Sequence, residues 1–421
     1  MVQRAASSLA PREPVRLPTY TVEMHRSARM LSALAAIVAL GTAFAPAAGA
    51  AADPTAEPAS TTVSVAAADD AAIDAHARHL VSVMSTRERA ASVVMGHIPT
   101  SDPRVLRDYM TTTGVGGFIL MGSNVPADEA ALREVTRALT VDPLLPAVIG
   151  IDEEGGDVTR LPWDALPGAT TLKDAPPDAT AAAFAARAAL VQRAGATVNF
   201  GIVADVAPDP ASFIHRRALG TTPPAAAERV AAAVAGESGA VASTLKHFPG
   251  HGAAPGDSHH MLPTTDLSRE AWEQTDAAPF RAGIDAGAEL LMFGHLVYTA
   301  VDGAPATMSA EWHRIAREEL GFTGVAITDD LGMLQNSGDP RYADPVANAV
   351  AALAAGNDMV MAVMLSDATT ATRLVDGIAA AAESGALPAE RLEEAATRVT
   401  ALRLQSATGA LTPCGSCQPA G

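Results

Sequence analysis

Ionisable and flexible residues are concentrated in the segment 246–252, which has the sequence Lys-His-Phe-Pro-Gly-His-Gly. An apolar run over 241–245 precedes it, which places Lys246 and His247 at the carboxyl end of a predicted strand. The run Asp257-Ser258-His259 follows within one loop length. A carboxylate two residues from an imidazole can hold one tautomer of the ring and raise its pKa. This arrangement suits a proton donor near neutral pH.

A pair of adjacent carboxylates, Asp329 and Asp330, follows the predicted strand 324–328. A carboxylate at a strand tip can attack an electrophilic carbon and form a covalent intermediate. Aspartate is also favoured at the start of a helix, and this capping role is an equal alternative for Asp330. For at least one member of the pair we predict a functional role.

Other predicted strands also end in ionisable side chains. Asp152 follows the strand 146–151 and opens a segment that continues through two glutamates and a Gly-Gly turn to Arg160. Such carboxylates can accept hydrogen bonds from adjacent sugar hydroxyls, whereas the alternative is a capped turn with solvated acids. Five strands end in this way, with these residues at or just past their tips: Asp152; Asp205; Lys246 and His247; His295; Asp329 and Asp330.

Eight short apolar runs must position these tips, and we predict strands at 93–97, 117–121, 146–151, 197–200, 241–246, 289–293, 324–328 and 357–362. Ala-rich helices are predicted at 71–91, 126–139, 179–194, 222–237, 269–286, 309–319, 341–355, 367–384 and 388–405. Continuous apolar runs are typical of strands buried on both faces. Their alternation with helices predicts an α/β protein, a (β/α)8 TIM-type barrel in a single domain. The alternative is an open doubly wound sheet, although no Gly-x-Gly-x-x-Gly follows a strand.

Composition divides the chain into four parts. Residues 1–50 form an extension and a secretory signal, because an apolar run follows two arginines and ends in small residues. The alternative is a membrane anchor, but the run is shorter than the ~20 residues that a spanning helix needs. Residues 51–70 are predicted to be a disordered linker, and residues 71–408 the barrel. Residues 409–421 are predicted to be a flexible tail, in which Cys414 and Cys417 can pair after export.

The net charge of −18 disfavours nucleic acid and anionic lipid as partners. We therefore expect a monomer that is secreted or associated with the cell wall. Once the signal is removed it should have no integral membrane span. No cofactor and no metal are expected, because no His-x-x-x-His occurs on a predicted helix and there is no second cysteine pair. Five histidines and several aspartates nevertheless leave a metal-dependent amidohydrolase open as an alternative. A serine hydrolase based on Ser258 is disfavoured, because no Gly-x-Ser-x-Gly turn occurs.

The order of these motifs resembles glycoside hydrolase family 3, in its single-domain β-N-acetylglucosaminidase branch, over about residues 76–405. Three segments carry the resemblance. They are Lys-His-Phe-Pro-Gly-His-Gly with Asp-Ser-His, Ile-Asp-x-Glu-Gly-Gly-x-Val-x-Arg from Ile151, and Thr-Asp-Asp-Leu-x-Met from Thr328. The resemblance favours this branch over the family's β-glucosidases, whose acid usually comes from a second α/β domain.

The resemblance assigns roles to individual residues. The nucleophile corresponds to Asp329, and the general acid/base is a loop histidine, here His259, assisted by Asp257. The residues that correspond to the family's sugar-binding groups are Asp152, Arg160, Arg217, Lys246, His247 and His295. Three positions depart from the family pattern: Asp157 stands where arginine is usual, Arg216 where aspartate is usual, and Gly332 where serine or asparagine is commoner.

The function implied by the resemblance is a retaining hydrolase that releases terminal non-reducing β-N-acetylglucosamine from cell-wall or chitin-type oligosaccharides. The expected partner is therefore a small glycan or a muropeptide. A phosphorylase of the same family remains an alternative, because a histidine acid repels an anionic acceptor less than a carboxylate does. A non-catalytic glycan-binding barrel is the contrasting class.

Overall fold

The computed structural model describes residues 61–408, and within them eight parallel strands close into one barrel. The strands are β1 (Val94–Gly96), β2 (Gly117–Leu120), β3 (Val148–Ile151), β4 (Val198–Val203), β5 (Ala242–Phe248), β6 (Leu290–Phe293), β7 (Val325–Asp330) and β8 (Met359–Met361). Each pairs with its neighbours in chain order, and β8 closes on β1. The predicted (β/α)8 barrel is confirmed and the open sheet is excluded. A separate two-stranded sheet joins Thr264–Thr265 to Val297–Tyr298.

The helices surround the barrel. They are α1 (Thr61–Val83), α2 (Thr86–Ser92), α3 (Pro103–Thr113), α4 (Glu129–Leu139), α5 (Ala169–Leu172), α6 (Pro177–Arg193), α7 (Pro223–Glu237), α8 (Arg269–Thr275), α9 (Ala277–Asp285), α10 (Ala310–Arg314), α11 (Leu331–Asn336), α12 (Pro345–Ala355), α13 (Thr370–Ser384) and α14 (Ala389–Thr408). The helix predicted over 269–286 is two helices that meet at Asp276. The one predicted over 309–319 is α10 followed by a π-helical turn, Ile315–Glu319.

Two predicted boundaries differ from the structure. The linker predicted over 51–70 is helical from Thr61 onwards, because the Ala-rich sequence there continues without a breaker into α1. The single helix predicted over 71–91 divides at Ser85, whose side chain accepts from the Glu88 backbone N–H as α2 begins. The signal predicted over 1–50, the first part of the linker and the Cys-containing tail lie outside the described residues. Within 61–408 no helix is long and apolar enough to cross a membrane.

The barrel interior is filled by one layered apolar cluster, to which α14 adds Val399 and Leu402 from one end. Interior residues alternate along each strand, as the pleat requires. Val148 on β3, Ala242 on β5 and Ile327 on β7 belong to this cluster. Glycine at position 150 makes room for Phe200, whose ring would lie 2.4 Å from a side-chain carbon there.

The same alternation sends particular polar residues into the mouth of the barrel. Three ionisable residues lie an even number of positions beyond an interior strand residue. Asp152 is two positions beyond Gly150, Lys246 is four beyond Ala242, and Asp329 is two beyond Ile327. Each therefore has the parity of the interior face and lies at a carboxyl-terminal strand end. The fold thus converges three ionisable side chains that are up to 177 residues apart in sequence, from Asp152 to Asp329.

Candidate active site

A pocket of about 180 Å³ opens at the carboxyl ends of the strands. Seven of the nine site residues predicted from sequence line it: Asp152, Arg160, Arg217, Lys246, His247, His259 and Asp329. The rest of its wall is largely apolar and includes five methionines, at positions 121, 292, 333, 361 and 364. The pocket therefore has a charged side and an apolar side, as expected for a small ligand with both hydroxyl and apolar groups.

Lys246 lies at the centre of a buried ionic cluster. Its Nζ donates to Asp152 Oδ1 at 2.8 Å and lies 2.7 Å from Glu154 Oε1. The Lys246 side chain is only 2% exposed. Burial opposes its charge, but the two carboxylates prevail and raise the pKa of Lys246. Burial likewise opposes ionisation of Asp152, yet Lys246 and the nearby arginines lower its pKa to about 2.

Arg217 joins this cluster through Glu154. Its Nε donates to Glu154 Oε2 at 2.9 Å and its Nη2 to Oε1 at 2.7 Å, a bidentate pair that fixes the guanidinium plane. Burial would raise the pKa of Glu154, but Lys246 and Arg217 hold it below its ordinary value. Arg160 lies on the other side of Asp152, with Nη2 3.5 Å from Oδ2. The buried Nε of Arg160 has no hydrogen-bond partner among the described residues, so its N–H can donate to a ligand hydroxyl.

His247 is held by a second buried carboxylate, Asp205. Its Nδ1 lies 2.8 Å from Asp205 Oδ2 and its backbone N–H donates to Oδ1 at 3.2 Å. Asp205 is fully buried. Burial disfavours its charge, but His247 lowers the pKa of Asp205. A carboxylate on Nδ1 directs Nε2 towards the pocket, where it lies 3.5 Å from Arg217 Nη2.

The adjacent carboxylates Asp329 and Asp330 have different surroundings. Asp329 lines the pocket and accepts one hydrogen bond, from the Asp330 backbone N–H at 2.8 Å. Burial works against ionisation of Asp329, but His247 and His295 outweigh it and lower the pKa of this carboxyl. Its carboxylate oxygens accept no other hydrogen bond among the described residues. Asp329 is therefore the carboxylate of the pair that is free to react.

Asp330 has a structural position. Its oxygens accept from the backbone N–H groups of Gly332, Val363 and Met364 at 2.7–2.9 Å, so it caps α11 and ties it to the loop after β8. Burial raises the pKa of Asp330 to about 6. The capping alternative considered from the sequence describes this residue.

Asp257 and His259 form a pair on the loop 254–263, which crosses the pocket mouth. His259 Nδ1 lies 2.6 Å from Asp257 Oδ1, and the His259 backbone N–H donates to the same oxygen at 3.0 Å. The two side chains are 49% and 41% exposed. Burial opposes the charge of Asp257, but the hydrogen bonds from His259 together outweigh it and lower the pKa of Asp257. With Nδ1 held by the carboxylate, Nε2 is free to exchange a proton.

The remaining predicted residue, His295, lies behind the pocket wall. It is fully buried, with Nδ1 2.8 Å from Thr307 Oγ1 and Nε2 2.8 Å from the Asp330 carbonyl oxygen. Both ring nitrogens are therefore engaged within the protein, and burial lowers the pKa of His295. The structure thus places it as a support for the Asp329–Asp330 backbone, and it places Asp257 as a support for His259.

Sequence reasoning did not include Glu154 and Asp205 among the site residues, although the structure places both in contact with predicted ones. Asp205 was visible as an ionisable group just past a strand, and Glu154 as one of two adjacent glutamates. Which glutamate faces the pocket could not be read from spacing, because the chain turns sharply there. Gly155 and Gly156 both have positive φ, at 81° and 72°.

Two of the residues that depart from the family pattern, Asp157 and Arg216, form an ion pair with each other. Arg216 Nε donates to Asp157 Oδ2 at 2.6 Å and its Nη2 to Oδ1 at 2.8 Å. The pair joins the turn that carries Arg160 to the segment that carries Arg217. Each residue is of the type that the family pattern has at the other position, and in this chain the two form an ion pair.

No group of three or more His, Cys, Asp or Glu side chains within the described part of the chain could hold a metal ion.

Comparison with known proteins places the chain among glycosidases. Residues 42–402 match the family described as Glycosyl hydrolase family 3 N terminal domain. A protein of Methylococcus capsulatus named Beta-hexosaminidase is 34% identical over 278 residues, which are 62% of this chain and 80% of that one. A Pseudomonas aeruginosa protein of the same name is 35% identical over 261 residues, 60% of this chain and 76% of that one.

Solved structures give the same result. A glycoside hydrolase family 3 beta-N-acetylglucosaminidase from Paenibacillus sp. str. FPU-7 is 30% identical with a TM-score of 0.72, over 78% of this chain. The match spans 63% of the Paenibacillus chain, less than two thirds of its length. Beta-N-acetylhexosaminidase from Beutenbergia cavernae is 26% identical with a TM-score of 0.67, over 76% of this chain and 98% of that one.

Proposed function

The chain belongs to glycosyl hydrolase family 3, and from that premise we propose that it releases terminal non-reducing β-linked N-acetylglucosamine with retention of configuration. The family predicted from the sequence motifs is thereby confirmed. That the protein is a glycoside hydrolase of the β-N-acetylhexosaminidase type follows from curated relatives at 34–36% identity. One observation above all supports the finer proposal: the same pocket contains an ionised aspartate with free lone pairs and a histidine paired with a carboxylate.

Asp329 is the proposed nucleophile. Its lowered pKa keeps it ionised at neutral pH, and its position at the tip of β7 leaves an oxygen facing the pocket. Attack on the anomeric carbon breaks the glycosidic bond and forms a covalent glycosyl-aspartate. Asp330, which accepts hydrogen bonds from three backbone N–H groups, holds the strand end in place and takes no part in the proposed chemistry.

His259 is the proposed general acid and then the general base. As imidazolium it donates the Nε2 proton to the leaving oxygen while Asp257 stabilises the positive charge at Nδ1. Neutral His259 then removes a proton from water, which attacks the anomeric carbon and releases Asp329. The cycle returns both groups to their starting states, and the two inversions give net retention.

The buried ionic cluster is proposed to hold the sugar. Asp152 can accept from ring hydroxyls while Lys246, Arg160, Arg217 and His247 donate to them. Their mutual ion pairs keep these groups oriented before the substrate arrives, which lowers the cost of binding. His295 is proposed to act at one remove, by fixing the Asp330 carbonyl beside the nucleophile.

We also propose that the natural substrates are cell-wall or chitin-type oligosaccharides and that the protein acts after export, in peptidoglycan turnover. The support is the secretory pattern of residues 1–50 together with the acidic composition. Growth of the source cells followed by assay of medium, wall and cytosol tests this directly. Activity confined to the cytosol would contradict it.

Product analysis tests the proposed reaction. The purified protein is incubated with an aryl β-N-acetylglucosaminide, and the first sugar released is observed by proton NMR with and without phosphate and a chelator. We expect the β-anomer of N-acetylglucosamine under all conditions. Release of the α-anomer would refute retention, and a sugar phosphate would identify the phosphorylase alternative. Loss of activity with the chelator would favour a metal enzyme, and no turnover at all would favour a glycan-binding barrel.

A further inference from the structure

The loop 254–263 carries the proposed proton donor, yet both members of its reactive pair are about half exposed. Between them lies Ser258, which is only 3% exposed and whose side chain faces the protein. Asp257 and His259 therefore point outward, whereas Ser258 between them points into the protein. The contacts of Ser258 therefore fix the position of the proposed proton donor, His259.

The inward residue meets His251. The ring Nε2 of His251 lies 2.9 Å from Ser258 Oγ, and the ring is 1% exposed. His251 is in the short helical turn that follows Gly250, at the end of the segment that began with Lys246. The other ring nitrogen, Nδ1, is buried and without a hydrogen-bond partner among the described residues. The serine hydroxyl is thus the side-chain partner that the structure gives this ring.

The position of His251 is fixed by several contacts. The His251 backbone N–H donates to Asp205 Oδ1 at 2.6 Å, and Asp205 also holds His247. The ring packs edge-on against Phe213 at 4.5 Å and against His247 at 5.8 Å between centroids. Burial lowers the pKa of His251 to about 4, so the ring is neutral and stays in this apolar contact. A continuous path of contacts therefore runs from the sugar-binding strand tips to the loop.

A second contact holds the far side of the same loop. Asn336 Nδ2 donates to the backbone oxygen of His259 at 2.6 Å. Asn336 is the last residue of α11, the helix that begins beside the nucleophile. Phe213, which packs against His251, also approaches the His259 ring with its centroid 6.5 Å away. These contacts leave the Asp257–His259 pair intact and fix only its place.

We propose that His251 and Ser258 form a latch that positions the proton-donor pair over the pocket, so that His251 is a positioning residue for acid catalysis. This inference rests on the proposed function, because it assumes that His259 is the acid. When the latch is lost, the Asp257–His259 hydrogen bond remains and Asp329 keeps its surroundings. The loss should therefore affect protonation of the leaving group and leave nucleophilic attack unchanged.

The variant Ser258→Ala removes the hydroxyl with little change in volume. With a phenyl β-N-acetylglucosaminide, whose leaving group needs a proton, we expect kcat/KM to fall roughly tenfold to a hundredfold, part of the 10²–10⁴ that acid catalysis supplies. With a dinitrophenyl glycoside, which leaves unaided, we expect little change. His251→Leu should behave in the same way. His251→Gln, which can place an amide near the position of Nε2, should recover part of the loss.

His259→Ala serves to separate the latch from the function on which it rests. If His259→Ala loses kcat/KM equally on both substrates, the acid assignment fails. If His259→Ala is selective but Ser258→Ala is equal on both, or unchanged on both, the latch is refuted. Hydrogen exchange of the loop amides is a readout independent of turnover. It should be faster in Ser258→Ala than in the parent protein and His251→Gln, and unchanged exchange would contradict the latch even in an inactive protein.

Discussion

The strand-tip cluster, formed by Asp152, Glu154, Lys246 and Arg217, differs from the proton-donor loop, residues 254–263, in almost every physical respect. In the cluster, Lys246 is 2% exposed and Glu154 4% exposed, and every charge faces an opposite charge. On the loop, Asp257 and His259 are 41% and 49% exposed, and a single Asp257 oxygen contacts the His259 ring. The comparison indicates that substrate binding and proton transfer need opposite environments.

Binding a neutral sugar favours groups that are already charged, oriented and excluded from water. Acid–base catalysis favours a group that can take either protonation state near the operating pH. Burial removes that freedom from a histidine: it lowers the pKa of His251 to about 4 and also lowers that of His295. The one histidine proposed to cycle is instead half exposed, outside the barrel. The nucleophile belongs with the buried group because it must stay ionised.

The largest expected effect is that of removing the reactive oxygen at the strand tip. Asp329→Asn should lower kcat on the order of a thousandfold or more with every leaving group, because no covalent intermediate can form. The matched control is Asp330→Asn, which weakens the hydrogen bonds to Gly332, Val363 and Met364. It should lower the free energy of unfolding and keep kcat well above that of Asp329→Asn. Near-full activity in Asp329→Asn would show that the nucleophile is elsewhere.

The next effect is expected on the loop. His259→Ala should lower kcat/KM by roughly 10²–10⁴ on a phenyl glycoside and far less on a dinitrophenyl glycoside. The neighbouring His260→Ala is the control, since the His260 side chain is exposed and its ring makes no hydrogen bond to the Asp257 carboxylate among the described contacts. The unfolding free energy should hardly change in either variant, in contrast to variants of the cluster. An equal loss of kcat/KM on both substrates would contradict the proposal that the loop supplies the proton while the strand-tip cluster binds the sugar.

Lys246→Met tests the cluster through stability. Asp152 and Glu154 would be left without their lysine, and breaking a buried pair from one side costs about 3–5 kcal/mol. Urea unfolding at pH 7 should show this loss, and KM should rise as well. Lys173→Met is the control, because Lys173 donates to the His215 carbonyl and pairs with no buried acid. It should cost less, and equal losses would mean that the cluster has no special contribution.

The acid dependence of stability follows from the same ion pair. The pKa of Asp152 is lowered to about 2, so the unfolded chain binds its proton first as pH falls. Its contribution is present above the ordinary pKa of about 3.8 and is lost between there and about pH 2. In Lys246→Met this part of the loss should shrink. Unfolding free energies measured at several pH values between these limits check the sign.

The smallest effect is expected at the exposed ion pair between Asp157 and Arg216. Asp157→Arg alone places two arginines together and should raise KM a few-fold, because the turns that carry Arg160 and Arg217 lose their link. Asp157→Arg combined with Arg216→Asp restores an ion pair with the two residue types exchanged and should recover KM. Failure of the double variant to recover would mean that the pair does not connect the two turns.

The fold was predictable because it depends on local patterns. All eight strands coincide with runs of β-branched and apolar residues, and turns and polar tips mark where each run ends. The helix α3 was missed although its signals are present, with Asp102 and Pro103 at its start and Gly114 in left-handed conformation at its end. The break at Asp276 was also missed although its signals are present, because aspartate is favoured at a helix start and Pro279 lies in the first turn of α9.

Without the family resemblance, the site was predictable mainly where a residue sits on a strand tip, whereas the resemblance supplied Arg160, Arg217 and the role of His259. Asp152, Lys246 and Asp329 follow from parity, since the strand fixes their direction. Two other contacts of the loop could not be read from sequence: the hydrogen bond between Ser258 and His251 depends on how the loop folds back, and that of Asn336 to His259 joins segments 77 residues apart. The ion pair between Asp157 and Arg216 could not be predicted either, because the sequence showed only two residues that depart from the family pattern.

The central claim is that a strand-tip carboxylate forms the covalent bond while a separate loop supplies the proton. A 5-fluoro β-N-acetylglucosaminyl fluoride tests it most directly, because its good leaving group needs no acid and its intermediate breaks down slowly. Peptide mass analysis after incubation should find one sugar on the peptide that contains Asp329, both in the parent protein and in His259→Ala. A sugar attached to another residue, or no adduct in a protein that turns over aryl glycosides, would contradict the account.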